Sequence, residues 1–217
     1  MRTSLFDPSA LERESIDRAL HIARPYFRGR VLDVGCGERP YAALAQECGC
    51  RYTGVDLSAS HMPPPDVCAD SCALPFRDKS FDTVLSTQVL EHVRDPFATL
   101  REAARILREG GNLILTAPQV WPLHEEPHDF YRYTRYGLEH LLEVAGLTPV
   151  TITERGGGIL ALTQLFALLM YDGFHRHTIT RVPAKLIIAP VLWLGRRLDR
   201  LLPMPKLTLG YLVVARK

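Results

Sequence analysis

The sequence has few cysteines; the close pairs Cys48/Cys50 and Cys68/Cys72 are interpreted as buried small side chains and not as metal ligands. Only five of the 217 residues are cysteine, all between Cys36 and Cys72, and an odd number leaves one that cannot pair within the chain. The segment from Met1 to Arg13 mixes charged and polar side chains and lacks the apolar core of a secretory signal peptide. Both absences argue against a secreted, disulfide-stapled protein, so we expect a cytoplasmic one.

The sequence also has no run of about 20 apolar residues, the length that a helix needs to span a bilayer. Residues 159–171 carry no charge but are too short. From Arg155 onward, ten basic residues stand against two acidic ones, a local charge of +8 in a chain of net charge +2. Trp193 followed by Arg196, Arg197 and Arg200 is typical of an interfacial helix, although a buried helical cap gives a similar pattern.

The basic excess favours a peripheral contact at the inner membrane face over a nucleic-acid site. Interleaved aromatic and polar base-reading side chains, which recognition of nucleic acid requires, are missing from this segment. We therefore expect no nucleic-acid partner. Nothing in the pattern predicts the oligomeric state.

Apolar runs typical of buried strands alternate with helical patterns along the chain, which predicts an α/β fold with a mostly parallel sheet. Three consecutive prolines, residues 63–65, exclude a helix from the connection over residues 60–66. About 50 residues separate the last two predicted strands, far more than a hairpin needs. We expect one domain over residues 1–217 with a helical insertion, or lid, over residues 156–206. The predicted strands are 30–34, 51–56, 81–86, 112–117, 150–153 and 207–215, and the predicted helices are 8–24, 41–48, 96–107 and 134–144.

A glycine turn follows the first strand, and an acidic residue ends the second. Gly35 and Gly37 form the turn, where backbone N–H groups at a helix start favour an anion, and Asp56 is placed to accept the hydroxyls of a ribose. A dinucleotide site makes the same demands but needs a third glycine where this chain has Pro40. The pattern favours S-adenosylmethionine, whose anion is a single carboxylate, over NAD.

Over residues 31–146 the chain resembles the class I S-adenosylmethionine-dependent methyltransferases. The resemblance implies a Rossmann-like, doubly wound sheet of seven strands with the insertion between the last two. Two departures are Arg39, where many members have a third glycine, and the proline loop, which replaces the usual second crossover helix. The motifs that carry the resemblance, in order, are Leu32-Asp33-Val34-Gly35-Cys36-Gly37, Gly54-Val55-Asp56-Leu57-Ser58, Asp70-Ser71-Cys72-Ala73-Leu74-Pro75-Phe76, Ser80-Phe81-Asp82-Thr83-Val84, Leu90-Glu91-His92-Val93 and Arg105-Ile106-Leu107-Arg108-Glu109-Gly110-Gly111.

The resemblance implies a role for each position of these motifs. The glycine turn approaches the methionine part of S-adenosylmethionine, Asp56 holds the ribose, Leu57 lies against the adenine, and Asp70 accepts from the adenine amino group. The predicted cofactor-binding residues are Asp33, Gly35, Gly37, Asp56, Leu57, Asp70, Ser71, Cys72, Ser86 and Thr87.

The segment after the strand predicted over residues 112–117 is rich in histidine. His124-Glu125-Glu126-Pro127-His128 matches a zinc-protease pattern on paper, but Pro127 breaks the helical turn that the pattern requires, so no metal is predicted. Because ligands bind at the carboxyl edge of such sheets, His124 and His128 are instead the candidate general bases. A loop that merely caps the sheet is the alternative. His92 lies in a motif of the fold, which favours a structural role.

The sequence thus predicts an S-adenosylmethionine-dependent methyltransferase, with O-methylation of a glycan, a lipid-linked or another small-molecule acceptor as the preferred subtype. A second hypothesis is a catalytically inactive binding or scaffold protein of the same fold. A third, an NAD-dependent oxidoreductase, is disfavoured by Pro40.

Overall fold

A computed structural model describes residues 9–175 and 181–217, and the chain divides into two compact units. One unit comprises Gln119–Pro122, Glu154–Gly210 and the described part of Met1–Ala19. The other comprises Leu20–Pro118, Leu123–Thr153 and Tyr211–Lys217. The first unit includes the predicted insertion. Its role as a lid stays a prediction.

The second unit is built on a seven-stranded sheet with the order β3-β2-β1-β4-β5-β7-β6. The pairs β2–β3, β1–β2, β1–β4 and β4–β5 are parallel, and Val34 lies between Val55 and Ser86. The order reverses between β1 and β4, and this reversal is where open α/β sheets bind ligands. The strands are β1 Arg30–Val34, β2 Arg51–Asp56, β3 Val67–Cys68, β4 Phe81–Thr87, β5 Leu107–Pro118, β6 Thr148–Glu154 and β7 Gly210–Arg216.

Local sequence explains where two of the helices begin. The Asp95 carboxylate accepts from the Ala98 N–H with Pro96 in the first turn, and the Thr134 hydroxyl accepts from the Gly137 N–H. Each is an ordinary N-cap. The helices are α1 Ala10–Ala23, α2 Ala42–Glu47, α3 Pro96–Ile106, α4 Arg135–Val144, α5 Gly158–His175 and α6 Arg181–Leu201.

Each unit has a core of its own. In the second unit the central strands bury near-continuous apolar runs, as expected of a sheet covered on both faces, and Phe81, Leu85 and Leu113 are almost fully buried. In the first unit α5 and α6 pack together around Ala161, Ala167 and Leu192. None of the described helices is long and apolar enough to cross a membrane.

The predicted alternation of elements is confirmed, with the first two strands at their predicted bounds. The proline connection over residues 60–66 contains no helix, as expected. The two-residue strand β3 was missed, because a strand this short has no periodicity of its own. Within the basic segment, Arg176 and the side chains of Arg181 and Lys185 lie outside what the structure describes.

Candidate active site

Two buried polar atoms lie near the carboxyl ends of β1 and β4, where the strand order reverses. Asp33 and Ser86 are both buried, and neither Asp33 Oδ1 nor Ser86 Oγ has a hydrogen-bond partner within the described part of the protein. Leaving a buried polar atom unsatisfied costs about 1–3 kcal/mol, so such atoms are rare in a purely structural position. A donor from a bound molecule would remove this cost. Thr87, next along β4, is half-buried.

The Asp33 carboxyl is held by a tyrosine and strongly desolvated. Tyr52 Oη donates to Asp33 Oδ2 over 2.6 Å. Burial raises the pKa of Asp33 to about 7, because the charged form loses its hydration, although the Tyr52 bond acts in the opposite direction. The carboxyl is therefore poised to gain from a cation placed beside it.

The glycine turn corrects one step of the sequence argument. The anion prediction relied on unsatisfied N–H groups, but the N–H of Gly35 donates to Val55 O over 2.8 Å and the N–H of Gly37 donates to Asp56 Oδ2 over 2.9 Å. The helix that follows, α2, begins only at Ala42. These donors hold the turn against β2, so they do not form a ready anion site.

Both glycines adopt left-handed backbone angles, for different reasons. Gly35 has a φ of 71°, and a Cβ there would collide with the Val89 side chain, so a substitution would strain the backbone and displace Val89. Gly37 has a φ of 48°, and a Cβ would meet no atom within 4 Å. Gly37 therefore borders open space into which a ligand can approach the backbone.

Asp56 lies at the end of β2, as the resemblance implies. Its Oδ2 accepts from Gly37, its Oδ1 accepts from the Ser58 N–H over 3.2 Å, and His61 Nε2 lies 3.6 Å from Oδ1. The carboxylate links the glycine turn to the loop after β2. A carboxylate can accept further bonds, so these contacts are compatible with ribose hydroxyls.

Arg39 replaces the third glycine without changing the backbone conformation. Its φ of 60° is left-handed, as a glycine would supply. The guanidinium pairs with Asp66 Oδ2 over 2.6 Å and lies over the Tyr52 ring at 5.2 Å. Asp66 also accepts from the Gly54 N–H. Arg39 thus ties the proline loop to β2 and to the tyrosine that holds Asp33.

The predicted adenine loop is tied to the start of α3. Asp70 Oδ1 accepts from the Cys72 N–H over 2.8 Å, while Ser71 Oγ and Cys72 Sγ lie 3.1 and 3.4 Å from Thr99 Oγ1. Leu57 is 77% exposed, an unusual state for a large apolar side chain and one that a flat ligand could cover. The contacts fix the loop, and the role of these residues toward adenine stays a prediction.

The histidine segment after β5 is a loop stabilised by a buried acid. Asp129, whose side chain is 2% exposed, accepts from both arms of Arg132, from the His124 N–H, and lies 3.2 Å from His124 Nδ1. The Arg132 guanidinium holds the pKa of Asp129 well below its usual range. An ionised partner at Nδ1 favours the tautomer in which Nε2 carries the lone pair.

The structure brings His124 close to His92, which the sequence did not link. Their ring centroids are 4.6 Å apart at 74°, and His92 Nδ1 donates to the backbone carbonyl of His128 over 2.8 Å. The His128 side chain itself is exposed, so the two candidate bases are not equivalent. The Leu90-Glu91-His92 motif was visible in the sequence, but nothing in its spacing points to a loop that follows a different strand.

The segment from His124 to His128 is not helical, so the zinc-protease arrangement is absent there, as expected. Among the described residues one other group could hold a metal ion, because Glu91, His92 and His124 each offer a ligand atom within 4.8 Å of the others. Whether an ion binds there is not tested by these contacts, so a site without a metal stays a prediction.

The loop is anchored to the segment after β4 by its backbone and by a tyrosine. The N–H groups of Phe130 and Tyr131 donate to the Glu91 carbonyl, and Tyr133 Oη donates to the Leu90 carbonyl over 2.7 Å. His92 and His124 therefore lie at the carboxyl edge shared by β4 and β5, beside the strand that ends at Ser86 and Thr87.

Comparison with known proteins finds a methyltransferase family model and relatives that are named methyltransferases. Residues 32–115 match the family model described as a methyltransferase domain. An uncharacterized methyltransferase of Mycobacterium avium is 40% identical over 101 residues, which cover 42% of this chain and 40% of that protein. The chain thus spans well under half the length of this relative.

A longer match has lower identity. The ubiquinone biosynthesis O-methyltransferase of Dinoroseobacter shibae is 28% identical over 180 residues, covering 70% of this chain and 72% of that protein. The crystal structure of a SAM-dependent methyltransferase from Archaeoglobus fulgidus superposes with a TM-score of 0.61 at 21% identity, over 96% of this chain and 97% of that one. At this identity the superposition shows a shared fold.

Proposed function

Because this chain belongs to the class I S-adenosylmethionine-dependent methyltransferase family, we propose that it transfers the methyl group of S-adenosylmethionine to an oxygen atom of a small-molecule or lipid-linked acceptor. Relatives whose names specify O-methylation support the choice of oxygen, among them the one from Dinoroseobacter shibae. The comparisons leave the acceptor itself undetermined.

The residues at the strand ends fit the family's cofactor. Among the described residues no group donates to the buried Asp33 Oδ1, and the ammonium of the methionine part would supply a donor. Ser86 Oγ is a second such atom on the neighbouring strand, and Gly37 borders open space. Asp56 retains acceptor capacity for the ribose. We assign Asp33, Gly37, Asp56 and Ser86 to cofactor binding on these grounds.

The cofactor, when bound, supplies a methyl group on a positively charged sulfur, which is open to in-line attack. The protein must hold the acceptor in line, exclude water and take the proton that a hydroxyl acceptor loses. Methylation of a hydroxyl would leave the carbon–sulfur electron pair on the sulfur, so the only chemical task left to the protein would be to take up the acceptor's proton on a base.

One observation carries the assignment of that base, namely the 3.2 Å approach of His124 Nδ1 to the buried Asp129 carboxylate. An acid at Nδ1 fixes the imidazole so that Nε2 can accept a proton, and it stabilises the imidazolium that results. Arg132 keeps Asp129 ionised for this task, because it holds the pKa of that carboxyl low. We therefore assign the base to His124, while His128 contributes through its backbone carbonyl, which orients His92.

The test measures release of S-adenosylhomocysteine from S-adenosylmethionine in the presence of a panel of hydroxyl acceptors. The panel comprises hydroquinones with short isoprenoid tails, simple catechols and lipid-linked sugars. His124→Ala is expected to lower turnover about 100-fold or more without changing cofactor affinity, because general-base catalysis contributes at least that much. Asp129→Asn should also lower turnover, since a neutral amide neither fixes the imidazole through Nδ1 nor offsets the positive charge that the ring gains with the proton.

His140, an exposed histidine on α4, gives the matched control variant, His140→Ala, for which turnover should equal that of the unmodified protein. If the double variant His124→Ala/His128→Ala turns over the best acceptor at the unmodified rate, the loop is structural. Binding of S-adenosylmethionine without turnover on any acceptor would favour the scaffold hypothesis.

A further inference from the structure

The exposed face of α5 carries a stripe of large apolar side chains. Leu162, Phe166 and Leu169 are between 41% and 68% exposed and are spaced four and three residues apart, so they share one face of the helix. The opposite side of the helix, with Ala161 and Ala167, is buried in the core of this unit. The stripe is therefore extra apolar surface that the core does not use.

The helix α6 carries a second stripe. Trp193, Leu194 and Leu201 are exposed on it, and Leu202 and Met204 continue the apolar surface beyond its end. Trp193 is 58% exposed, although tryptophan is a large residue that proteins normally bury for the most part. Ile188 and Leu192 again mark the buried side.

The two helices that carry the stripes touch at Thr163 and Gly195. A Cβ on Gly195 would lie 2.4 Å from Thr163 Oγ1, so the backbone of α6 packs directly against Thr163 of α5. Leu162 and Leu194 are the exposed neighbours of these two residues along the chain. We call the two stripes with Leu202 and Met204 the α5–α6 apolar surface.

Basic side chains accompany this surface. Arg197 and Arg200 are exposed on α6, Lys206 follows it, and no acidic side chain among the described residues forms an ion pair with any of them. The Arg197 guanidinium lies over the Trp193 ring at 5.3 Å. By contrast, Arg196 pairs with Glu14, and Asp199 accepts from the N–H groups of Gly157 and Leu160. The cations of the surface are thus left for an external anion.

We propose that the α5–α6 apolar surface docks onto the face of an anionic lipid membrane, with Trp193 and its leucine neighbours in the headgroup boundary and Arg197, Arg200 and Lys206 against the lipid phosphates. Exposed aliphatic and aromatic side chains combined with a basic flank are the features of peripheral, in-plane membrane binding. The apolar side chains supply the insertion, and the cations supply the preference for anionic lipid.

A second copy of the chain is a poorer occupant for the same surface. A symmetric interface places the same patch on both sides, so the unpaired cations would be brought toward each other. An anionic membrane offsets these charges while it covers the apolar side chains. A membrane acceptor would also reach the enzyme from the lipid phase, a consequence that rests on the proposed function, whereas the docking itself does not.

The test is co-sedimentation of the full chain with vesicles of phosphatidylcholine alone and with vesicles of phosphatidylcholine mixed with anionic phosphatidylglycerol, at low and at high salt. Binding should require the anionic lipid and should weaken at high salt, because salt screens the basic contribution. Each basic side chain near such a surface contributes about a fivefold increase in binding, so Arg197→Glu/Arg200→Glu should weaken it about 25-fold or more.

Apolar insertion has its own variants and a spectroscopic signal. Leu169→Ser/Leu194→Ser should weaken vesicle binding by at least tenfold, whereas Tyr136→Ser and Arg101→Glu, exposed positions of the other unit, should not change it. In a Trp121→Phe background Trp193 is the single tryptophan, and its emission should shift to the blue when anionic vesicles are added.

Absence of sedimentation with either vesicle, or equal binding by the variants and the unmodified chain, would overturn the proposal. A concentration-dependent dimer that Leu169→Ser/Leu194→Ser dissociates, without vesicle binding, would assign the surface to self-association instead. None of these measurements uses turnover, so their outcome is independent of the methyl acceptor.

Discussion

At the scale of single residues, the Asp33 carboxyl is influenced by its burial and by three neighbouring groups. Tyr52, Arg39 and Asp56 all act on this carboxyl: Tyr52 by a hydrogen bond, Arg39 as an attracting charge and Asp56 as a repelling one. Burial outweighs them and raises the pKa of Asp33 to about 7. A carboxyl that is costly to ionise in the folded protein implies two measurable effects.

The first effect is on stability. In the unfolded chain Asp33 ionises near its ordinary pKa of 3.8, and in the folded chain its pKa is about 7. Well below pH 4 Asp33 is protonated in both the folded and the unfolded chain, so it does not affect the free energy of unfolding. As the pH rises from 4 to 7, the unfolded chain ionises first, and the free energy of unfolding falls by about 4 kcal/mol at most. Asp33→Asn should therefore be more stable than the unmodified protein above pH 7, with the difference vanishing toward pH 4 in denaturant unfolding curves.

The second effect is on the cofactor and uses the same variant. If the ammonium of S-adenosylmethionine lies beside Asp33, binding favours the ionised carboxyl, so affinity measured by titration calorimetry should rise as the pH increases from 6 to 8. In Asp33→Asn this rise should disappear. A rise of equal size in both proteins would assign it to another group.

Asp56 gives a separate prediction for the ribose. Asp56→Ala should weaken binding of S-adenosylmethionine about tenfold or more, because charge-assisted hydrogen bonds contribute about 1.5–3 kcal/mol. Asp56→Asn, which keeps an acceptor for the Gly37 N–H, should give an intermediate affinity and an unchanged melting temperature. An identical titration curve for Asp56→Ala would refute the ribose assignment.

At the scale of elements, α1 is joined to the residue after β6 by a buried ion pair. Arg155 Nη1 donates to Glu12 Oε1 and to Ser15 Oγ, each over 2.9 Å, and its side chain is fully buried. The Glu12 N–H donates to Gln164 Oε1 on α5. These contacts connect parts of the first unit that lie at opposite ends of the sequence.

Removing one partner of this pair leaves the other charge buried. Arg155→Met should therefore lower the free energy of unfolding by about 3–5 kcal/mol, whereas Glu12→Gln/Arg155→Met should recover much of the loss, because no unpaired charge remains. Urea unfolding of the three proteins measures this. A loss below about 1 kcal/mol in the single variant would mean that the Glu12 carboxylate is compensated by another group.

The element scale also explains the departures from the family pattern. Arg39 adopts the left-handed conformation that glycine usually supplies, and its ion pair with Asp66 holds the proline loop that stands in place of a crossover helix. Neither interaction follows from the sequence pattern, because the two residues meet only when β1 and β2 pair. The sequence identified Arg39 as a departure from the family pattern. The structure shows that its left-handed conformation replaces the glycine and that its ion pair with Asp66 holds the proline loop.

At the scale of the whole molecule, the sequence by itself determined the alternation of strands and helices apart from the short β3, the glycine turn after β1 and the acids on β1 and β2. These depend on periodicity, on proline and glycine, and on motifs of a few consecutive residues, all of which are local. The family followed from the same motifs and agrees with the comparisons. The carboxyl-edge location of the candidate site followed from topology.

Only the tertiary structure decided which of the two candidate bases is oriented, because that depends on the buried Asp129 and on the ring of His92, which follows a different strand. It also decided that the N–H groups of the glycine turn bind β2 and Asp56, and that Asp33 and Ser86 each keep an atom without a hydrogen-bond partner in residues 9–175 and 181–217. The physical reason is common to all three. Hydrogen bonds, burial and the resulting pKa shifts depend on contacts between groups that are distant in the sequence. These contacts form only when the strands pair, so a pattern of neighbouring residues does not predict them.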